Sequence, residues 1–172
     1  MPIELDSIDI NILEHLQRDA SIPNNELAER VGLSAAPCWR RVKRLEEAGV
    51  IRQRVALLDA EAVGLSLTVF ASVKLAHHAA DALSLFEAEV MKFPEVTECY
   101  TVSGGTDFLL RIVTTGMRTY ETFLRENILR IPGVSEVHSR FVVTQVKHTT
   151  ALPVRHLARR EAEKRPRGDG AR

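Results

Sequence analysis

From Asp6 to Leu16 the apolar residues Ile8, Ile12, Leu13 and Leu16 recur at three- and four-residue steps. That spacing predicts a helix with one buried face and Asp6 at its N-cap. After a polar turn containing Pro23, Asn24 is placed to cap a short second helix over residues 25–31, with Leu27, Ala28 and Val31 inward. Gly32 ends that helix in the left-handed conformation, and Ser34 caps a third over residues 34–49. In the third helix Cys38, Val42 and Leu45 form one stripe, while Ala36, Trp39, Arg40, Lys43 and Glu47 point elsewhere. Gly49 closes it, and residues 50–58 read as a strand running into a hinge near residues 59–64.

The second half changes period. Leu67, Val69, Ala71 and Val73 alternate with Thr68, Phe70, Ser72 and Lys74, as in a strand. A helix over residues 79–93 follows, with Leu83, Phe86, Val90 and Phe93 on one face. Residues 96–103 and 107–114 then read as two strands around Gly104-Gly105-Thr106. A second helix points Tyr120, Phe123, Leu124, Ile128 and Ile131 inward, and a strand over residues 135–147 ends the pattern. Phe93-Pro94-Glu95-Val96 and Ile131-Pro132-Gly133-Val134 leave the two helices in the same way, a weak internal repeat. The order βαββαβ predicts a ferredoxin-like sandwich behind a winged helix–turn–helix, an α+β fold. The expected domains are residues 1–50, a strand and hinge at 51–65, a βαββαβ domain at 66–153, and a basic, partly disordered tail at 154–172.

With 45% hydrophobic and 27% charged residues among 172, the chain has the material for a real core. The N-terminus is acidic where a signal peptide is basic, and no apolar run approaches the roughly 18 residues of a membrane span, so a cytoplasmic, nucleoid-associated protein is expected. Cys38 and Cys99 form neither a CxxC nor a metal-ligand set. The net charge is zero, but it is partitioned: Glu4, Asp6, Asp9, Glu14 and Asp19 make the first twenty residues acidic, whereas Arg40, Arg41, Lys43, Arg44, Arg52 and Arg54 outweigh Glu46 and Glu47. A face this basic fits a polyanion partner.

Ala28 at the close approach of two helices, Gly32 in the turn and a basic amphipathic helix after it form a helix–turn–helix unit. Its third helix would present Ser34, Ala35, Ala36 and Pro37, with Trp39, Arg40 and Lys43, to base edges and phosphates of double-stranded DNA. Arg41, Arg44, Arg52 and Arg54 are assigned to phosphates. The competing reading is a solvated basic helix, against which stands an indole exposed among the bases. Cys38 is assigned to packing. The loop Ser103-Gly104-Gly105-Thr106-Asp107 offers backbone N–H groups to a carboxylate and a side-chain carboxylate to an ammonium, the parts an amino-acid zwitterion needs. A plain β-turn needs the same glycines. His77-His78 has no third ligand in register, and no catalytic set, P-loop or HExxH is present, so neither a metal, a cofactor nor an enzyme is expected.

The stretches Leu5-Asp6-Ser7-Ile8-Asp9, Leu27-Ala28-Glu29-Arg30-Val31-Gly32-Leu33-Ser34, Pro37-Cys38-Trp39-Arg40-Arg41-Val42-Lys43-Arg44-Leu45-Glu46 and Val102-Ser103-Gly104-Gly105-Thr106-Asp107-Phe108 together resemble the Lrp/AsnC (feast/famine) transcription regulators over about residues 3–153. The resemblance implies DNA binding modulated by a small amino acid, a homodimer that often builds octamers, and an effector site at Ser103, Gly104, Gly105, Thr106 and Asp107. It adds Val137 and Ser139 from the strand after the Pro-Gly-Val motif. Many members carry Thr at these two positions, and Val137 has no hydroxyl. Cys38-Trp39, His77-His78 and the ending Lys147-His148-Thr149-Thr150-Ala151-Leu152-Pro153 look like a cysteine-responsive branch, which makes cysteine the first effector expectation. Two other readings stay open: an architectural DNA-bending protein without ligand control, and an amino-acid-sensing module of an enzyme system.

Overall fold

The computed structural model describes residues 3–76 and 80–156. His77-His78 and the tail from residue 157 onward lie outside the described residues. The chain forms two compact units. One is Met1–Ala56 together with the segment that follows Val146, and the other is Leu57–Val146.

In the first unit α1 spans Ser7–Arg18, α2 Asn24–Arg30 and α3 Ala35–Glu47. Asp6 caps α1 through a full capping box: its carboxylate accepts the Asp9 N–H at 2.8 Å, and the Asp9 carboxylate accepts the Asp6 N–H at 3.1 Å. Gly32 and Gly49, at φ 70° and 71°, end α2 and α3. In each case the following residue bonds back five positions, Leu33 N–H to Ala28 O and Val50 N–H to Leu45 O, both at 2.9 Å. Ile12, Leu13, Leu16, Leu27, Ala28, Cys38, Val42 and Leu45 close one core, with Ile8 and Val31 packed against it.

Two expectations for this unit are corrected. Asn24 is the first residue of α2 rather than its cap; Pro23 takes the cap position, and the Asn24 amide donates instead to Ala35 O at 2.9 Å. Residues 50–58 form no strand and pair with none among the described residues; Val50 and Ile51 pack on the first core instead. Residues 147–153 group with the first unit in the structure. They return to α1, where Val154 packs on the first core and Leu152 is hydrogen-bonded to Gln17.

The second unit has β1 (Leu67–Leu75), α4 (Ala80–Val90), β2 (Val96–Thr101), β3 (Phe108–Thr114), α5 (Met117–Glu126), a 3-10 turn (Ile128–Arg130) and β4 (Val134–Phe141). The sheet order is β2-β3-β1-β4, with every neighbouring pair antiparallel. This is the ferredoxin-like arrangement that the βαββαβ order predicts. Val69, Ala71, Val73 and Leu75 of β1 and Phe108, Leu110 and Ile112 of β3 share the face buried under Phe86 and Val90 of α4 and Tyr120 and Phe123 of α5. The rings of Phe86 and Phe108 stack at 4.4 Å. The last strand ends at Phe141, short of the expected residue 147, beyond which Val143 and Val146 are almost fully exposed.

Candidate DNA interface and effector site

α3 carries four bases in two pairs, Arg40 with Lys43 and Arg41 with Arg44. Each pair is three residues apart, and the two are rotated by one residue around the helix. The rotation separates their fates. Arg40 and Lys43 point outward; Arg40 has no carboxylate partner among the described residues, and Lys43 lies 3.6 Å from Glu47. Trp39 is 53% exposed, with Lys43 Nζ 5.2 Å from its ring centre. Ser34 and Ala36 are exposed at the start of the helix, and Ala35 and Pro37 are half-buried. Pro37 costs no helical hydrogen bond there, because the N–H groups of a first turn have no intrahelical acceptor.

Arg41 and Arg44 are instead engaged by the carboxylates at the start of α1, Arg41 mostly covered and Arg44 still about half-exposed. Arg41 Nη1 donates to Asp6 Oδ2 at 2.7 Å and to Asp9 Oδ1 at 2.8 Å, and Arg44 Nη2 donates to Asp9 Oδ2. Asp9 is fully buried. Burial works to raise the Asp6 carboxyl, but the Asp9 N–H and the Arg41 guanidinium hold it below the ordinary carboxylate range. Those two carboxylate bonds push Arg41 up. Arg54 is also taken, by Glu46 Oε1 at 3.0 Å and Ala20 O at 3.2 Å, whereas Arg52 is exposed. The exposed set not tied to another element among the described residues is therefore Ser34, Ala36, Trp39, Arg40, Lys43 and Arg52; Arg44 and Arg54 are exposed too, but ion-paired. The sequence reading missed Asp9, although Asp6-x-x-Asp9 at a helix start is a capping-box signal.

In the second unit the loop 103–107 is fastened to the end of β1. Asp107 Oδ2 accepts the Leu75 N–H at 2.7 Å, the Asp107 N–H donates to Val73 O at 2.9 Å, and the Val102 N–H donates to Asp107 O at 2.9 Å. Gly104 sits at φ 127°, a region that favours glycine, and Ser103, Gly104 and Gly105 are exposed while Thr106 is half-buried. A Cβ added at Gly104 or Gly105 would meet nothing within 4 Å, so both residues border open space.

Val137 pairs with Val73, which also holds the Asp107 N–H, so the loop and Val137 occupy the same end of the sheet. Ser139 pairs with Ala71, one step further along that face. Its hydroxyl is hydrogen-bonded to the Tyr120 phenol, whose ionisation burial pushes up. Val137 packs on the core side of the sheet. The loop Ser103–Asp107 and Val137 thus flank the same stretch of β1, and Ser139 lies one pair further along, its hydroxyl already partnered.

A basic-faced helix–turn–helix and a ferredoxin-like unit with a glycine–aspartate loop define a two-part DNA-binding regulator. Comparison with known proteins gives the same two parts in the same order, the second match running past Val146. Residues 5–52 match the winged helix-turn-helix DNA-binding model, and residues 68–152 match the Lrp/AsnC ligand binding domain. The leucine-responsive regulatory protein of Rhizobium meliloti (strain 1021) is 46% identical over 152 residues, covering 88% of this chain and 97% of its own. The DNA-binding transcriptional activator DecR of Escherichia coli (strain K12) is 40% identical over 150 residues, covering 87% and 99%. A transcriptional regulator of Neisseria meningitidis solved as an L-Met complex superimposes with a TM-score of 0.86 at 45% identity, covering 90% of this chain and 99% of that one. The chain belongs to the Lrp/AsnC family and is a DNA-binding transcription regulator, not an enzyme. Among the described residues no helix is long and apolar enough to cross a membrane.

Proposed function

We propose that α3 reads duplex DNA through Arg40, Lys43, Trp39 and the exposed start Ser34–Pro37, and that an amino acid bound at Ser103–Asp107 and Val137 modulates that binding. The sorting of the four α3 bases carries the first part: Arg40 projects without a carboxylate partner among the described residues, while Arg41 and Arg44 are ion-paired to the start of α1. The second part is supported by the loop bordering open space beside Val137, and by the L-Met and leucine-responsive relatives. Cysteine remains the first effector to try, and an apolar Val137 also suits a short aliphatic or sulfur-bearing side chain. The protein works in the cytoplasm on the nucleoid as a homodimer that assembles further, to an octamer. Exposed Leu57 and Leu58, in a segment with no strand partner among the described residues, support association with a second copy. A dimer would set two copies of α3 on half-sites about 34–36 Å apart.

The test is a pair of variants in the full chain, assayed on a duplex selected from a random-sequence library by the unaltered protein. Arg40→Ala weakens binding to that duplex and leaves amino-acid binding unchanged. Gly105→Val, filling the open side of the loop, leaves DNA binding intact and abolishes its response to amino acids. If Arg40→Ala binds as tightly as the parent, α3 is not the reading element; if Gly105→Val keeps the full response, the effector site lies elsewhere.

A further inference from the structure

Asp9 is the one charged side chain among the buried residues of the described chain. Its two carboxylate oxygens take the Arg41 and Arg44 guanidiniums and the Asp6 N–H. Asp6 adds a second acceptor for Arg41 at 2.7 Å. Both acids sit at the start of α1, where the helix dipole favours negative charge, and together they face the 41/44 side of α3. Their effect on α3 is selective. They do not touch Arg40 or Lys43, so two of the helix's four bases are tied to α1, Arg44 with about half of its side chain still exposed, and two are not.

The distinction matters because the two halves would do different things on DNA. Lysine and arginine contacts to phosphate are blind to sequence and raise affinity for every duplex alike, with a salt dependence that steepens by about 0.9 per neutralised phosphate. A recognition helix with four loose bases would gain nonspecific affinity faster than specific affinity. We infer that Asp9 is a specificity-determining residue: by holding Arg41 and Arg44 against α1 it withholds them from the phosphate backbone and leaves sequence reading to Arg40, Lys43 and Trp39. This rests on the reading of α3 as the recognition helix.

The test uses the full chain with Asp9→Asn, which keeps the side chain's size and hydrogen-bonding atoms but removes the charge. Binding is measured over a salt series to two duplexes, the library-selected sequence and a scramble of the same composition. The released arginines should strengthen binding to the scrambled duplex several-fold and steepen its salt slope by between one and two. The preference for the selected duplex should fall at least tenfold. Adding Arg41→Gln and Arg44→Gln in the Asp9→Asn background should return the slope to its starting value, which simple loosening of the fold would not do. A folded Asp9→Asn protein with the original slope and preference overturns the inference, as does one that loses affinity for both duplexes alike.

Should Asp9→Asn fail to fold, Arg41→Gln with Arg44→Gln in the unaltered background reads the same question. Withheld arginines predict a slope unchanged within about 0.5, and a loss approaching two would show that they contact phosphate. Arg40→Ala keeps the two claims apart. If it leaves affinity untouched, the recognition-helix reading fails by itself; if it weakens binding while Asp9→Asn changes nothing, only the role of Asp9 fails.

Discussion

Gln17 and Leu152, 135 positions apart, exchange two hydrogen bonds: the Leu152 N–H donates to Gln17 Oε1 at 2.6 Å, and Gln17 Nε2 donates to Leu152 O at 3.2 Å. Arg155 pairs with Glu14 one turn away, and Val154 packs on the core that α1 shares with α2 and α3. The chain therefore passes between its two units twice, at Ala56–Leu57 and again at Val146–Lys147. The DNA-binding unit is not a bead on a single string; it is completed by the segment that follows the last strand of the effector unit.

Truncation after Val146 should lower the stability of the first unit by roughly 1–3 kcal/mol, the loss of two modest hydrogen bonds and a partly buried valine. Hydrogen exchange should show the change in α1 amides and little in β1 or β3. Equal protection of α1 in both proteins would mean that the returning segment contributes nothing to the unit.

Arg40→Ala should cost about 1–3 kcal/mol of specific DNA binding, the range for one good base contact, with the melting temperature unchanged. Trp39 is the single tryptophan of the chain, so its fluorescence reports the event directly. Emission should change on adding duplex, with saturation shifted to higher concentration in the Arg40→Ala protein. An indole silent to DNA would move Trp39 off the interface.

The capping pair sets a pH dependence. The Asp6 carboxyl is held below its ordinary value in the folded chain, so the folded state binds its proton less readily than the unfolded one. The stability it contributes is complete above the ordinary carboxylate pKa of about 3.9 and is lost as the pH falls toward the depressed folded value. Melting of the first unit should be flat from about pH 7 to 5 and fall steeply below 4. Asp6→Asn keeps a capping side chain and should flatten the fall; an unchanged pH profile would contradict the assignment.

Asp107→Ala should do two things at once. It leaves the buried Leu75 N–H without its acceptor, at a cost of roughly 1–3 kcal/mol to the second unit, and it unfastens the loop proposed to hold the effector. Calorimetry with amino acids should then show weakened binding in a protein that still recognises DNA. Full-strength amino-acid binding would exclude the loop as a ligand contact.

Much of this was legible in the chain because local chemistry and global fold agree. Ile8, Ile12, Leu13 and Leu16 mark α1, Gly32 marks the turn, and the alternation from Leu67 to Lys74 marks the central strand. What failed to show was long-range. Nothing in Leu152-Pro153-Val154 announces a return to Gln17, since three residues carry no period. The run 50–58 has the composition of a strand, but pairing is a property of a partner, and the chain supplies none among the described residues. Arg41 and Arg44 look like Arg40 in composition, and only the burial of Asp9 beside them separates the two roles. At the effector site the Gly104-Gly105 loop was readable as a loop, whereas the bond from Leu75 to Asp107 depends on sheet order.

The most direct measurement is a footprint of the full chain on its library-selected duplex, taken alone and with each of the twenty amino acids in turn. The account predicts protection repeating with the helical period of DNA, altered in extent or position by at least one small amino acid, with cysteine tried first. Protection that no amino acid changes, or no preferred sequence at all, would contradict a ligand-controlled regulator and leave a DNA-bending architectural role in its place.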